Sequence, residues 1–101
     1  MKFSKKLYYG KEASRHKRKI LWRLKHNKIL LDTYVICFAS NKNNLFDIIN
    51  ANILLQKYYP KDDLTVLAIG ESYDETLELL VFLIDNVYKK TGAFNVREFY
   101  S

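Results

Sequence analysis

With one cysteine, Cys37, the chain cannot close an intrachain disulfide, which suits a reducing compartment and makes the cytoplasm the expected location. No apolar run approaches the ~20 residues that a membrane-spanning helix needs. The opening Met1-Lys2-Phe3-Ser4-Lys5-Lys6 lacks the apolar stretch of a signal peptide, so no membrane partner is expected. The two histidines, His16 and His26, have no cysteine or carboxylate at ligand spacing, and neither a metal nor a cofactor is expected. Absent too are the phosphate loops GxxxxGKS/T and GxGxxG, the GxSxG nucleophile elbow and the SxxK pair. Lacking any catalytic constellation, the chain reads as a non-catalytic binding module, with an enzyme ranked behind it.

No repeat, low-complexity linker or Gly/Ser hinge divides the sequence, and 101 residues leave room for one core, so residues 1–101 read as a single α/β domain. Its charge is uneven. Residues 1–28 hold eight lysines and three arginines against Glu12 alone, a net +10, whereas residues 29–101 hold six bases and ten acids, a net −4. AT-rich coding inflates lysine, asparagine, isoleucine and tyrosine together, but it scatters lysines rather than segregating them. The segregation points to an acidic partner for residues 1–28, set against an α/β core over residues 29–101.

Hydrophobic periodicity predicts a helix from Lys11 to about Asn27, with Ala13, Ile20, Leu21 and Leu24 on one stripe. Thr33–Ala39 and Leu64–Ile69 are continuous apolar, β-rich runs, expected as strands buried on both faces. Between them Leu45, Ile48, Ile49, Asn52 and Ile53 recur at helical spacing, which predicts a helix near 44–58 that Pro60 stops. Ser72-Tyr73-Asp74-Glu75 fits a capping box that opens a helix to about Lys90, and Gly92 supplies its stop. Residues Asn95–Tyr100 read as a short terminal strand. The resulting order, α-β-α-β-α-β, predicts a mostly parallel three-stranded sheet with packed helices, and Phe3–Tyr9 is a candidate fourth, edge strand.

The basic helix carries the strongest functional signal. At ~100° per residue Trp22 falls about 180° from Ala13, opposite the apolar stripe, and Lys11, Arg15, Arg18 and Lys25 flank it within about 60°. An aromatic ring framed by cations stacks a splayed base while its neighbours neutralise phosphates, so these five residues are the candidate site for RNA or single-stranded DNA. Packing of arginine over the indole, or burial of Trp22 in another subunit, are the competing readings. In the C-terminal helix, Leu77, Leu80, Val81, Ile84 and Tyr88 are the expected core stripe. Leu79 and Phe82 then fall at about 200° and 140° among Glu75, Glu78, Asn86 and Lys89, which makes them candidates for a homodimer interface unless the first helix covers them. A protein-interaction module without a nucleic-acid role is thus the alternative function. Ser40, Asn41, Gly70 and Ser72, at the carboxyl ends of the two strands, mark a weaker candidate ligand crevice. Cys37 reads as a core residue, and Asp62-Asp63 as a solvated turn.

Overall fold

Among the described residues four strands form one mixed sheet, and helices cover both of its faces. The structure, a computed structural model, describes residues 1–39, 45–56, 59 and 64–100. In chain order the elements are β1 (Lys2–Tyr9), a 3-10 turn (Ala13–His16), α1 (Lys17–Lys25), β2 (Tyr34–Phe38) and β3 (Phe46–Asn50). A second 3-10 turn (Ala51–Leu55), β4 (Thr65–Gly70), α2 (Tyr73–Thr91) and α3 (Val96–Tyr100) complete the fold. The sheet order is β1-β4-β2-β3, with β1 parallel to β4 and β2 antiparallel to both β4 and β3. Among the described residues no helix is long and apolar enough to cross a membrane.

The two central strands are the two continuous apolar runs, because only residues buried on both faces need to be apolar throughout. On one face Val35, Cys37, Val66 and Ile69 pack with Ile20 and Leu24 of α1 and with Leu54 of the second 3-10 turn. Toward the other face Ile36, Leu67 and Ala68 meet Leu83 and Val87 of α2 and Val96 and Tyr100 of α3. Leu67 and Ala68 share a face despite being adjacent in sequence. The β2–β4 register slips there, Ile36 pairing with Ala68 and Cys37 with Val66, as a β-bulge requires.

Several expectations need correction. The segments 33–39 and 64–69 are sheet neighbours, but antiparallel rather than parallel. The connection between them holds β3, which pairs back onto β2 from Tyr34↔Asn50 to Phe38↔Phe46, in place of the helix expected near 44–58. The apolar spacing there fits a strand equally well, since Phe46 and Ile48 pack on one side of the sheet and Ile49 on the other. Asn50 then ends the strand by accepting a hydrogen bond from Asn52 N–H at 2.9 Å. Residues Val96–Tyr100 form α3 where a strand over Asn95–Tyr100 is expected, because Val96 and Tyr100, one helical turn apart, are both buried and Tyr100 donates its hydroxyl to the Leu83 carbonyl at 2.6 Å. The sheet is four-stranded because the N-terminal segment supplies edge strand β1. Near the N-terminus, a 3-10 turn precedes α1, and His16 (φ −126°, ψ 26°) breaks the single helix expected from Lys11.

Helix α2 has the expected boundaries but a different inward face. Ser72 Oγ accepts the Glu75 N–H at 3.0 Å, and Gly92 closes the helix in the left-handed conformation (φ 72°). The buried positions are Thr76, Leu83 and Val87, with Leu79 and Leu80 packed beside them, so Val81 and Tyr88 face outward. An unbroken apolar run from Leu79 to Ile84 fixes no direction. The small or β-branched Thr76 and Val87 decide it by approaching the sheet closely.

Cys37 is fully buried, and burial together with the neighbouring Asp47 carboxylate pushes its thiol from 9.0 up to about 12. The folded thiol therefore holds its proton when the unfolded one releases it. That contribution to stability is complete below about pH 9 and is lost as pH climbs toward 12, in the same direction as the raised Tyr59 and Tyr100. Urea unfolding should give a clearly lower midpoint at pH 10.5 than at pH 8. At pH 8 a thiol-specific reagent should label the native protein far more slowly than the unfolded chain; equal rates would contradict this placement.

Candidate nucleic-acid interface

Helix α1 lies against the sheet through Ile20 and Leu24, both buried, with Leu21 packed alongside. Measured from the midpoint of Ile20 and Leu24, Trp22 points about 180° away, Arg18 lies about 40° and Lys25 about 60° to one side of it, and Lys19 about 60° to the other. Trp22 is accordingly 52% exposed. Its indole stacks on the His26 imidazole, with centroids 4.4 Å apart and planes 20° apart, and His26 Nδ1 lies 2.8 Å from the Trp22 carbonyl oxygen. The two rings form one aromatic ledge on the crest of the helix. Sequence reasoning missed His26, although the Trp-x-x-x-His spacing places the two side chains one turn apart on a helix.

Cations surround this ledge with little neutralisation. Arg15 pairs with Glu12 at 3.7 Å, both groups well exposed, so the pair contributes little. His16 Nδ1 lies 2.6 Å from Glu71 Oε1. Among the described residues Lys17, Arg18, Lys19 and Lys25 form no ion pair with a carboxylate. Lys17 and Lys25 instead hold their ammonium groups over the rings of Tyr9 and Phe3, at 5.0 and 5.6 Å from the centroids. These contacts tie α1 along edge strand β1, whose Lys2, Lys5 and Lys6 are also exposed. The cations of α1 thus cluster around its outer face, whereas Lys5 and Lys6 of β1 line a separate depression with Phe99 and Tyr100 of α3. Local positive potential of this kind, next to a low-dielectric protein surface, concentrates polyanions.

The structure brings four of the five candidate residues to this region. Arg18, Trp22 and Lys25 stand at i, i+4 and i+7 on the outer face of α1, and Arg15 shares a surface depression of about 460 Å³ with Lys17, Arg18 and Lys19. Lys11 is set apart. It precedes the 3-10 turn and lines a different depression with Glu12, Glu75 and Glu78. The break at His16 is the cause, since it interrupts the helical phase that linked Lys11 to Trp22.

The remaining candidates are placed as follows. Ser40 and Asn41, like Asp62 and Asp63, lie outside the described residues. Gly70 is buried with Thr76 packed against its α-carbon, and Ser72 is occupied as the cap of α2. The Glu75 carboxylate accepts the backbone N–H groups of Glu12 and Glu71, joining the turns that follow β1 and β4. Those amides are therefore engaged within the chain. Phe82 is exposed, with its ring 6.3 Å from that of Tyr8, while Leu79 packs against the core on the α2 side. Helix α1 sits on the opposite face of the sheet and covers neither. Among the described residues no three His, Cys, Asp or Glu side chains gather as metal ligands. Comparison with protein-family models, with curated proteins and with solved structures returned no match.

Proposed function

We propose that the protein is a small non-catalytic module that binds single-stranded nucleic acid, RNA or DNA, through the outer face of α1. The observation that carries this reading is the Trp22–His26 ledge, half exposed and flanked by Arg18, Lys19 and Lys25, which among the described residues have no acidic partner. A duplex keeps its base faces stacked inside, whereas a single strand offers them to an exposed ring, so the ledge favours the unpaired form. Arg15, Arg18 and Lys25 neutralise phosphates on either side of the stacked base, and Lys11 contributes only long-range attraction. The buried free thiol fits work in a reducing compartment such as the cytoplasm.

Fluorescence anisotropy with labelled single-stranded and duplex oligonucleotides, at several salt concentrations, tests the proposal. Saturable binding that prefers the single strand and weakens as salt rises is expected. Equal affinity for both forms, or no binding at low salt, would refute it.

A further inference from the structure

Helices α1 and α2 lie on opposite faces of the sheet, and each leaves an apolar surface that the described residues do not cover. On the α1 side, the segment after the helix holds Ile29 and Leu31 in solvent at 66% and 82% exposure. This segment is fixed. Asn52 donates its side-chain amide to the Leu30 carbonyl at 2.7 Å and accepts the Leu30 N–H at 2.9 Å, while Arg23 donates to the Ile29 carbonyl at 3.1 Å. With Leu30 buried as the anchor, its two neighbours are held outward beside Lys19 and Arg23, lining a groove of about 300 Å³. Glu71 also lines the groove, where His16 holds its carboxylate.

On the other side, the outward ridge of α2 carries Val81 at 64% and Phe82 at 52% exposure. Exposed Asp74, Glu78 and Asp85 share that ridge at i, i+4 and i+11 spacing, and Lys89 pairs with Asp85 at 2.9 Å. The ridge is apolar and acidic; the groove is apolar and basic.

We propose that the groove of one copy receives the α2 ridge of a second copy, with Val81 and Phe82 against Ile29 and Leu31, and Glu78 and Asp85 directed toward Lys19 and Arg23. Charge complementarity selects this arrangement. A two-fold pairing of α2 with α2 about Val81 and Phe82 would run the helices antiparallel, setting Glu78 against Asp85 and leaving Ile29 and Leu31 uncovered, and pairing groove with groove would set Lys19 and Arg23 against like charge. Ridge in groove meets unlike charge and apolar surface at once. Because the two surfaces occupy opposite faces of the sheet, the contact is heterologous. Each copy keeps a free groove or ridge, and assembly continues past the dimer as a ring or a chain. Arg18 and Lys25 lie on the other flank of α1, so Lys19 is the one cation that this contact shares with the proposed nucleic-acid face.

Sedimentation velocity on the nuclease-treated full chain tests this over a range of concentrations. The weight-average sedimentation coefficient should rise with concentration beyond that of a dimer. Phe82→Asp and Leu31→Asp, both at exposed positions and checked for fold by circular dichroism, should each leave only monomer. An equimolar mixture of the two variants should form a dimer that grows no further, since one chain keeps its groove and the other its ridge. Separate charge exchanges, Lys19→Glu and Glu78→Lys, should each weaken assembly, and mixing the two should restore it. A parent that stays monomeric, a mixture that stays monomeric, or a plain dimer lost in Phe82→Asp but intact in Leu31→Asp would overturn the proposal, the last in favour of a two-fold α2 contact.

Discussion

Trp22→Ala is expected to weaken binding of a short single-stranded oligonucleotide by about 5- to 150-fold, the loss of ~1–3 kcal/mol of base stacking. The indole belongs to neither core cluster, so the variant should unfold at nearly the parent temperature. Its salt dependence should match the parent's, because no phosphate contact is removed. Trp22→Phe keeps a smaller ring over His26 and should recover part of the affinity. The double substitution Arg18→Ala with Lys25→Ala makes the opposite signature. It should weaken binding and also flatten the plot of log K against log salt, by about 1.4 for two phosphate contacts on a single strand. Anisotropy titrations of the variants at four or more salt concentrations separate the two effects. A Trp22→Ala variant that flattened the slope, or that bound as well as the parent, would remove the stacking role.

Gly70→Ala should be strongly destabilising for a one-carbon change. A β-carbon at this buried position would lie 2.1 Å from Thr76 Oγ1 and 3.1 Å from Thr76 Cα. The hydroxyl is already committed, donating to the Ser72 carbonyl at 2.7 Å, and the α-carbon belongs to the first turn of α2, which cannot rotate aside. Relief therefore requires moving α2 off β4. Overpacking of this kind costs about 3 kcal/mol, which in a domain of this size lowers Tm by about 12–24 °C. Thr76→Ala in the same chain removes the nearest clash and should restore part of the loss. Calorimetry of the single and double variants checks both statements. A Tm within about 3 °C of the parent for Gly70→Ala would contradict the close packing of β4 against α2.

How much of this was legible in the sequence depended on whether a signal was local. The strands β2 and β4 were, because Tyr34–Phe38 and Thr65–Gly70 are continuous apolar segments that only a doubly covered strand requires. The limits of α2 were also local, written in Ser72 at one end and Gly92 at the other. Strand β3 was not. Five residues, Phe46–Asn50, are too few to separate a period of two from one of 3.6, and the pairing with β2 that settles the matter lies about a dozen residues away. Strand direction was equally hidden. The parallel partner of β4 is β1, about sixty residues earlier, and no spacing between neighbouring elements reports it. In the candidate site, exposure of Trp22 followed from the positions of Ile20 and Leu24 within one helix. The removal of Lys11 from that face did not, because it depends on the turn at His16 and on Glu75 binding the Glu12 amide.

Trp22 is the chain's only tryptophan, so its emission reports on the proposed site alone. Titrating the parent protein with an unlabelled single-stranded oligonucleotide at low ionic strength therefore tests the central claim most directly. Stacking of a base on the indole predicts saturable quenching that reverses when salt is raised, with a midpoint matching the anisotropy curve. Emission that stays constant while anisotropy still reports binding would place the nucleic acid elsewhere on the molecule and contradict the account.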